Sequence, residues 1–243
     1  LKFAKEMDVL TNGGTNVAMG CVTELWRVCR EAGVEDPAHA ALPAEEELTR
    51  AARHTNIEDV LIDESASTVQ LADPEMLLDV GAIAKGYAVQ QVLETLKSEG
   101  AASLLISAGG NVAAIGTRPD GTSWKVGIQD PYSGGYLCAV NVDGMCLVTS
   151  GTYERYYTVD GKRYHHIIDP NTLYPSAYYD SVSVLCADSG LADALTTGLF
   201  SMPLEQGQAL VASLDGVEAF WILPDGTQVM SAGFGAFIIQ TTD

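Results

Sequence analysis

Positive charge is scarce in this chain: 13 Lys and Arg stand against 32 Asp and Glu, for a net charge of −19 over 243 residues. Nucleic acid and anionic membrane surfaces are poor partners for such a protein, because both are held by basic patches. No apolar run approaches the roughly 18 residues that cross a bilayer. No signal peptide or lipid-attachment segment is legible, and Leu1 opens straight into a helical pattern without an initiating Met, which reads as a trimmed or mature form. Zinc-type cysteine spacing is missing too. Cys21, Cys29, Cys138, Cys146 and Cys186 include no CxxC pair and none at ligand spacing from a histidine. They read as free, mostly buried thiols, with one disulfide left open. The GxGxxG, GxxxxGKS/T, HExxH and GxSxG patterns are all absent, which argues against a standard dinucleotide dehydrogenase, a P-loop enzyme, a zinc protease and an α/β-hydrolase.

What is present is enough apolar residue, 47% of the chain, to build a sizeable core. The first third reads as helical, with apolar residues at helical spacing over Lys2–Leu10, Met19–Glu31 and Ala44–His54. Asn12-Gly13-Gly14 breaks the first two, and Pro43 precedes the third. Short strands are predicted at Asp59–Ile62 and Thr68–Leu71, and Leu77–Val80 reads as a strand end before a helix over Lys85–Leu96. Further strands are predicted at Ser103–Ser107, Val112–Ile115, Trp124–Ile128, Leu137–Val142 and Cys146–Thr149. Tyr153–Val159 and Arg163–Ile168 flank Asp160-Gly161, a hairpin signal. A strand at Ser181–Leu185, helices at Leu191–Met202 and Glu205–Leu214, and a closing hairpin around Asp225-Gly226 complete the pattern. Hairpins prevail over βαβ alternation, so the fold class is α+β with mixed or antiparallel sheets and packed helices. One domain over 1–243 is expected, helical to about residue 56 and mixed beyond.

Three segments carry chemistry. In Asp79-Val80-Gly81-Ala82-Ile83-Ala84-Lys85-Gly86-Tyr87 an acid precedes a small-residue turn and a lysine at a helix start, which suits an anion; the alternative is a capped helix with a solvated lysine. In Ala192-Asp193-Ala194-Leu195-Thr196-Thr197, Asp193 and Thr197 are i and i+4, so two hard oxygen donors share a helix face and suit Mg²⁺ better than zinc. The alternative leaves Asp193 as decoration and Thr197 bonded back to a carbonyl. In Tyr164-His165-His166-Ile167-Ile168-Asp169-Pro170 the adjacent histidines face opposite sides of a strand, so only one can enter a given pocket, where a neutral imidazole can act as a base; the alternative is one buried and hydrogen-bonded and the other exposed.

Taken in order, DVGAIAKGY (79–87), SAGGNV (107–112), TSGTYERY (149–156), HIIDP (166–170) and ADALTT (192–197) resemble the ApbE family of flavin transferases. The resemblance implies a two-lobed, T-fold-like single domain and an activity that moves FMN from FAD onto a serine or threonine of a protein, releasing AMP. It implies Mg²⁺ held by Asp193, Thr197 and the carbonyl of Ala82, with Thr196 beside them. It implies FAD contacts at Asp79, Lys85 and the backbone near Ile167, and makes His166 the candidate base. Thr15 and Asn16 also fall at FAD-contact positions, although they replace an aromatic and an acid, and Leu173 stands where a glycine is usual. The implied acceptor is a subunit of a membrane redox complex or an extracytoplasmic FMN reductase, and the implied location is the outer face of the cytoplasmic membrane, as a lipoprotein. The same residues would also serve an FAD pyrophosphatase, or an FAD-binding protein without catalysis.

Overall fold

The computed structural model describes residues 1–239, so the last four positions of the expected 1–243 domain lie outside the described residues. Helices α1 (Lys2–Leu10), α2 (Gly20–Glu35) and α3 (Glu45–Ala51) open the chain, followed by strands β1 (Val60–Asp63) and β2 (Thr68–Leu71) and helix α4 (Ala84–Ser98). Strands β3 (Leu104–Ala108), β4 (Asn111–Ile115), β5 (Lys125–Gln129), β6 (Tyr136–Asn141), β7 (Cys146–Gly151), β8 (Tyr156–Val159), β9 (Lys162–His165) and β10 (Ser181–Cys186) come next. Helices α5 (Ser189–Phe200) and α6 (Leu204–Ala212) then precede the strands β11 (Glu218–Ile222) and β12 (Gln228–Met230). Every strand pair in these sheets is antiparallel, as the α+β reading expects.

Two compact units result: Leu1–Gly81 with Thr152–Ser176, and Ala82–Gly151 with the chain from Ala177 onward. In the first, Met19, Val22 and Trp26 line one side of α2 at helical spacing and pack with Leu48, Tyr157 and Ile168. Trp26 donates its indole N–H to the carbonyl of Leu173 at 2.8 Å. Leu173 has φ +63°, in the left-handed region that glycine adopts most readily. The β8–β9 turn places both Asp160 (φ +49°) and Gly161 (φ +78°) in that region, as a two-residue hairpin demands.

The second unit is built on a six-stranded sheet in the order β12-β11-β10-β7-β4-β3. All six residues of β10 are buried, because both faces of this inner strand are covered. On one face Val89 and Leu93 of α4 pack on Ala113, Ile115 and Cys146. On the other, Leu147, Leu185, Phe220 and Phe234 pack with Ile128, Val140 and Val142. Ten of the twelve residues of α5 are buried, so this helix lies almost wholly inside.

The strand end expected at Leu77–Val80 does not form. This segment runs as irregular chain whose Asp79 N–H bonds the carbonyl of Val17 at 2.8 Å. It presses so closely on Gly20 that a β-carbon there would meet the Leu77 carbonyl oxygen at 2.3 Å. The histidine-bearing strand is also shorter than expected: β9 stops at His165, and His166 lies beyond the ladder.

Gly86 is small for the sake of helix packing rather than for ligand approach. A β-carbon on it would stand 2.3 Å from the Ser189 carbonyl oxygen and 2.4 Å from the Asp193 β-carbon. Neither atom is the far end of a flexible side chain, so Gly86→Ala forces α4 and α5 apart. We expect a loss of about 1–3 kcal/mol in urea unfolding; an unchanged midpoint would show that the two helices tolerate separation.

Candidate functional site

Helix α4 begins without a side chain of its own to cap it; Ile83 occupies the cap position and offers no polar atom. The exposed amides of its first turn need an acceptor. Asp193, reaching from α5, supplies one: its Oδ2 accepts the Gly86 N–H at 2.8 Å. Its Oδ1 accepts from Lys85 Nζ at 2.9 Å. Asp193 is 2% exposed, and an unpaired carboxylate at that depth would be prohibitively expensive. The positive end of a helix, one amide and one ammonium therefore converge on a single buried carboxylate. The anion that the turn was expected to attract is, within the chain itself, Asp193.

Thr196 does not present itself as a metal ligand. It is fully buried, donates its hydroxyl back to the Asp193 carbonyl at 2.7 Å and accepts from Ser150 Oγ at 2.9 Å. The back-bonding expected of Thr197 thus belongs to its neighbour. Thr197 is half-buried one turn beyond Asp193 and makes no side-chain hydrogen bond among the described residues. Ala82 is half-buried in the turn ahead of α4. The donor set of Asp193, Thr197 and a carbonyl consists of hard oxygens, and it fits Mg²⁺ by its chemistry. Sequence reasoning missed Ser150 and the role of Gly86, although both lie within quoted motifs. A helical period shows that Gly86 is small, not what it touches.

Lys85 also belongs to a wider polar layer in this unit. Gly109 and Gly110 make the β3–β4 turn with φ +53° and +86°, and a β-carbon on Gly109 would lie 3.9 Å from Lys85 Cδ. Just past that turn, Asn111 is fully buried and accepts from Ser189 Oγ at 2.8 Å, while its Nδ2 is enclosed without a partner among the described residues.

The other sequence-predicted residues belong to the first unit. Asp79 is exposed and tethered at both oxygens, accepting from Thr23 Oγ1 at 2.9 Å and from the Gly81 N–H at 2.8 Å. Thr23 carried no signal beyond its place on α2. Thr15 is 0% exposed, so as an FAD contact it is corrected: its side chain is sealed inside the unit. Asn16 spends its amide on structure, accepting from the Ala18 N–H at 2.8 Å and donating to the Thr55 carbonyl at 2.9 Å. Both backbone groups of Ile167 are engaged, the N–H with His165 Nδ1 at 3.2 Å and the carbonyl with the Ser176 N–H at 3.0 Å.

The two histidines do not share a strand, since β9 ends at His165. Because His165 Nδ1 accepts from Ile167, its Nε2 carries the proton and donates to the Ser176 carbonyl at 2.8 Å. His165 is structural. His166 is half-buried, and its Nδ1 is enclosed without a hydrogen-bond partner among the described residues. Burial, helped by the nearby Arg155 guanidinium and His165, pushes its pKa down to about 3. It is a neutral imidazole with an available acceptor throughout the physiological range.

A family model described as the ApbE family matches residues 1–221. An FAD:protein FMN transferase of Klebsiella pneumoniae (strain 342) is 34% identical over 235 residues, covering 96% of this chain and 70% of that protein. One from Treponema pallidum (strain Nichols) is 38% identical over 239 residues, covering 92% of this chain and 64% of its own length. The chain therefore spans less than two thirds of the latter. Among solved structures, the ApbE protein of Thermotoga maritima superposes with a TM-score of 0.86 at 32% identity, covering 98% of this chain and 76% of its own. The flavin transferase ApbE of Vibrio cholerae superposes at 0.80 with 31% identity, covering 97% and 74%.

The depressed pKa of His166 has a fixed sign in stability. Below about pH 6.5 the unfolded chain takes up this proton while the folded chain resists it down to about pH 3. Stability tied to this residue is thus complete above pH 6.5 and declines as pH falls toward 3. We expect the His166 ring resonances, followed by NMR, to stay at their neutral positions at pH 5. A midpoint near 6.5 would place the ring in solvent.

Proposed function

This chain belongs to the ApbE family, and we propose that it transfers FMN from FAD to a serine or threonine hydroxyl of an acceptor protein with the help of Mg²⁺. The observation that carries this reading is the buried Asp193 carboxylate, held between Lys85 Nζ and the Gly86 N–H at the start of α4. Two relatives at 34% and 38% identity bear the name FAD:protein FMN transferase, which supports FAD as the substrate and a protein as the acceptor.

In the reaction the acceptor oxygen attacks the phosphorus on the riboflavin side of the FAD diphosphate. The bond from that phosphorus to the bridging oxygen breaks, and AMP leaves with the oxygen and its electron pair. Such a transfer asks a protein for positioning and charge neutralisation more than for covalent help. Asp193, Thr197 and the Ala82 carbonyl are the residues we assign to Mg²⁺, which when bound supplies Lewis-acid stabilisation of charge on phosphate oxygens. Lys85 is the nearest cation on this chain's own side of the balance. Its ammonium neutralises Asp193, and were that carboxylate to hold a metal, Lys85 would be left to pair with an FAD phosphate. His166, neutral and with Nδ1 available, is our candidate to take the hydroxyl proton. Thr196 and Ser150 keep the α5 backbone fixed beneath Asp193.

For the acceptor we propose a subunit of a membrane redox complex or an extracytoplasmic FMN reductase, with this chain working on the outer side of the cytoplasmic membrane. The support is family resemblance. No helix among the described residues is long and apolar enough to cross a membrane.

Incubation with FAD, Mg²⁺ and a threonine-bearing acceptor should add one FMN to the acceptor and release AMP in equal amount, read by mass spectrometry. Asp193→Asn should lower this rate by roughly 10²-fold or more. FMN released free at the same rate with and without acceptor would replace transfer by hydrolysis. The Lys85 role has a readout that needs no turnover. Without nucleotide, Lys85→Met should bind Mg²⁺ roughly tenfold more tightly, ~1.4 kcal/mol, in a thermal-shift titration, because no ammonium competes for Asp193. It should also bind FAD more weakly. Unchanged Mg²⁺ affinity would show that metal and ammonium do not share that carboxylate.

A further inference from the structure

Cys146 and Cys186 lie outside every role assigned so far. Cys146 opens β7, Cys186 ends β10, and the antiparallel register pairs them directly. In such a pair both side chains leave the same face of the sheet with β-carbons roughly 4.5–5.5 Å apart, so closing a disulfide, which spans about 3.5–4.5 Å, draws the two strands together by up to roughly an ångström. The face is the one covered by helices. Leu147 and Leu185, one step along each strand, join the opposite cluster, while Cys146 packs with Val89 and Leu93 of α4. The sulfurs also converge on consecutive carbonyls of the turn into α5. Both are free thiols in the structure: Cys146 Sγ donates to the Ala187 carbonyl at 3.8 Å and Cys186 Sγ to the Asp188 carbonyl at 3.1 Å. The remaining cysteines have no comparable partner among the described residues. Cys138 faces Ile128 across β5 and β6. Cys21 and Cys29 sit on one helix, about 12 Å apart along its axis.

We propose that Cys146 and Cys186 are a cross-strand disulfide pair that closes as the chain folds wherever a disulfide donor is present. The thiolate of one cysteine attacks a sulfur of the donor, whose other sulfur leaves as a thiolate. The second cysteine then attacks the mixed disulfide, a sulfur–sulfur bond forms between the two residues, and the donor's remaining half leaves. The two cysteines give up two protons and two electrons, and the donor disulfide becomes two thiols.

Timing follows from burial. In the folded chain both residues are enclosed, at 1% and 2% exposure, and burial pushes the thiols up to about 12 for Cys146 and about 11 for Cys186. Folded thiols are therefore sluggish nucleophiles, and closure belongs to folding, before the core shuts. Once made, the bond is shielded from reductants by the same packing. It closes a loop over residues 147–185, which removes freedom from the unfolded chain. It also anchors β10 two residues before Asp188, whose side chain caps α5 by accepting from the Leu191 N–H at 2.8 Å.

The test is to refold reduced, denatured protein in a mixture of oxidised and reduced glutathione, and in parallel in excess reductant. Free thiols are then alkylated under denaturing conditions and the chain is digested without reduction. We expect one cross-linked peptide pair joining Cys146 to Cys186, with Cys21, Cys29 and Cys138 alkylated. The oxidised protein should melt several degrees higher, and that increment should vanish in Cys146→Ala and in Cys186→Ala. If those variants do not fold, the wild-type digest alone decides. Alkylation of all five cysteines after oxidative refolding, or a bond through any other cysteine, overturns the proposal.

Discussion

A single carboxylate inside a buried helix sets the terms for the second unit. Asp193 is closed off from water, so each of its oxygens must find a donor within the protein. Oδ1 finds Lys85, and Oδ2 finds the amide that α4 leaves open. That demand explains why α4 needs no cap of its own. It also explains why residue 86 has no side chain, since only glycine lets the first turn of α4 come close enough to present its amide. Thr196 completes the arrangement by tying its hydroxyl back to the Asp193 carbonyl and out to Ser150 on β7. Helix, turn and strand are thus held through one acid.

The histidine pair shows the same economy in the first unit. Two identical side chains, adjacent in sequence, end with different hydrogen-bonding partners because the strand stops between them. His165 closes the ladder and is fixed by two backbone bonds that set its tautomer. His166 falls past the ladder, where no backbone group meets Nδ1 and burial keeps the ring uncharged. Burying an acceptor without a donor costs free energy, and positions that carry such a cost concentrate where a partner arrives from outside.

Much of this was legible beforehand, and what was not has physical causes. Lys2–Leu10 and Thr68–Leu71 appear with the bounds read from periodicity, and α2, α4, α5 and β10 appear within a few residues of theirs, because amphipathic or apolar runs declare themselves locally. Leu77–Val80 misled, because its apolar residues read as a strand end while its backbone is claimed by Val17 and Gly20, contacts made across some 60 residues of sequence. Thr15 misled for a related reason. Its position in the chain matches a ligand-facing one, but only packing reveals that it is sealed inside. Of the candidate metal residues, spacing correctly placed Asp193 and Thr197 on one helix but could not separate Thr196 from Thr197. One residue of helical rotation decides which hydroxyl turns back to the backbone and which is left over.

Net charge looked like an obstacle to a phosphate-handling role, and the local arrangement dissolves it. A protein at −19 repels a diphosphate only where its negative charges are unpaired nearby, since screening removes influence beyond about 8–10 Å. At the start of α4 the nearest acid is already cancelled by Lys85, so the site is neutral before any ligand arrives. Lys85 and Asp193 form a net-neutral pair, so no bare carboxylate opposes the positive end of the helix. The ion pair therefore removes, at the start of α4, the local repulsion that the chain's overall charge would lead one to expect.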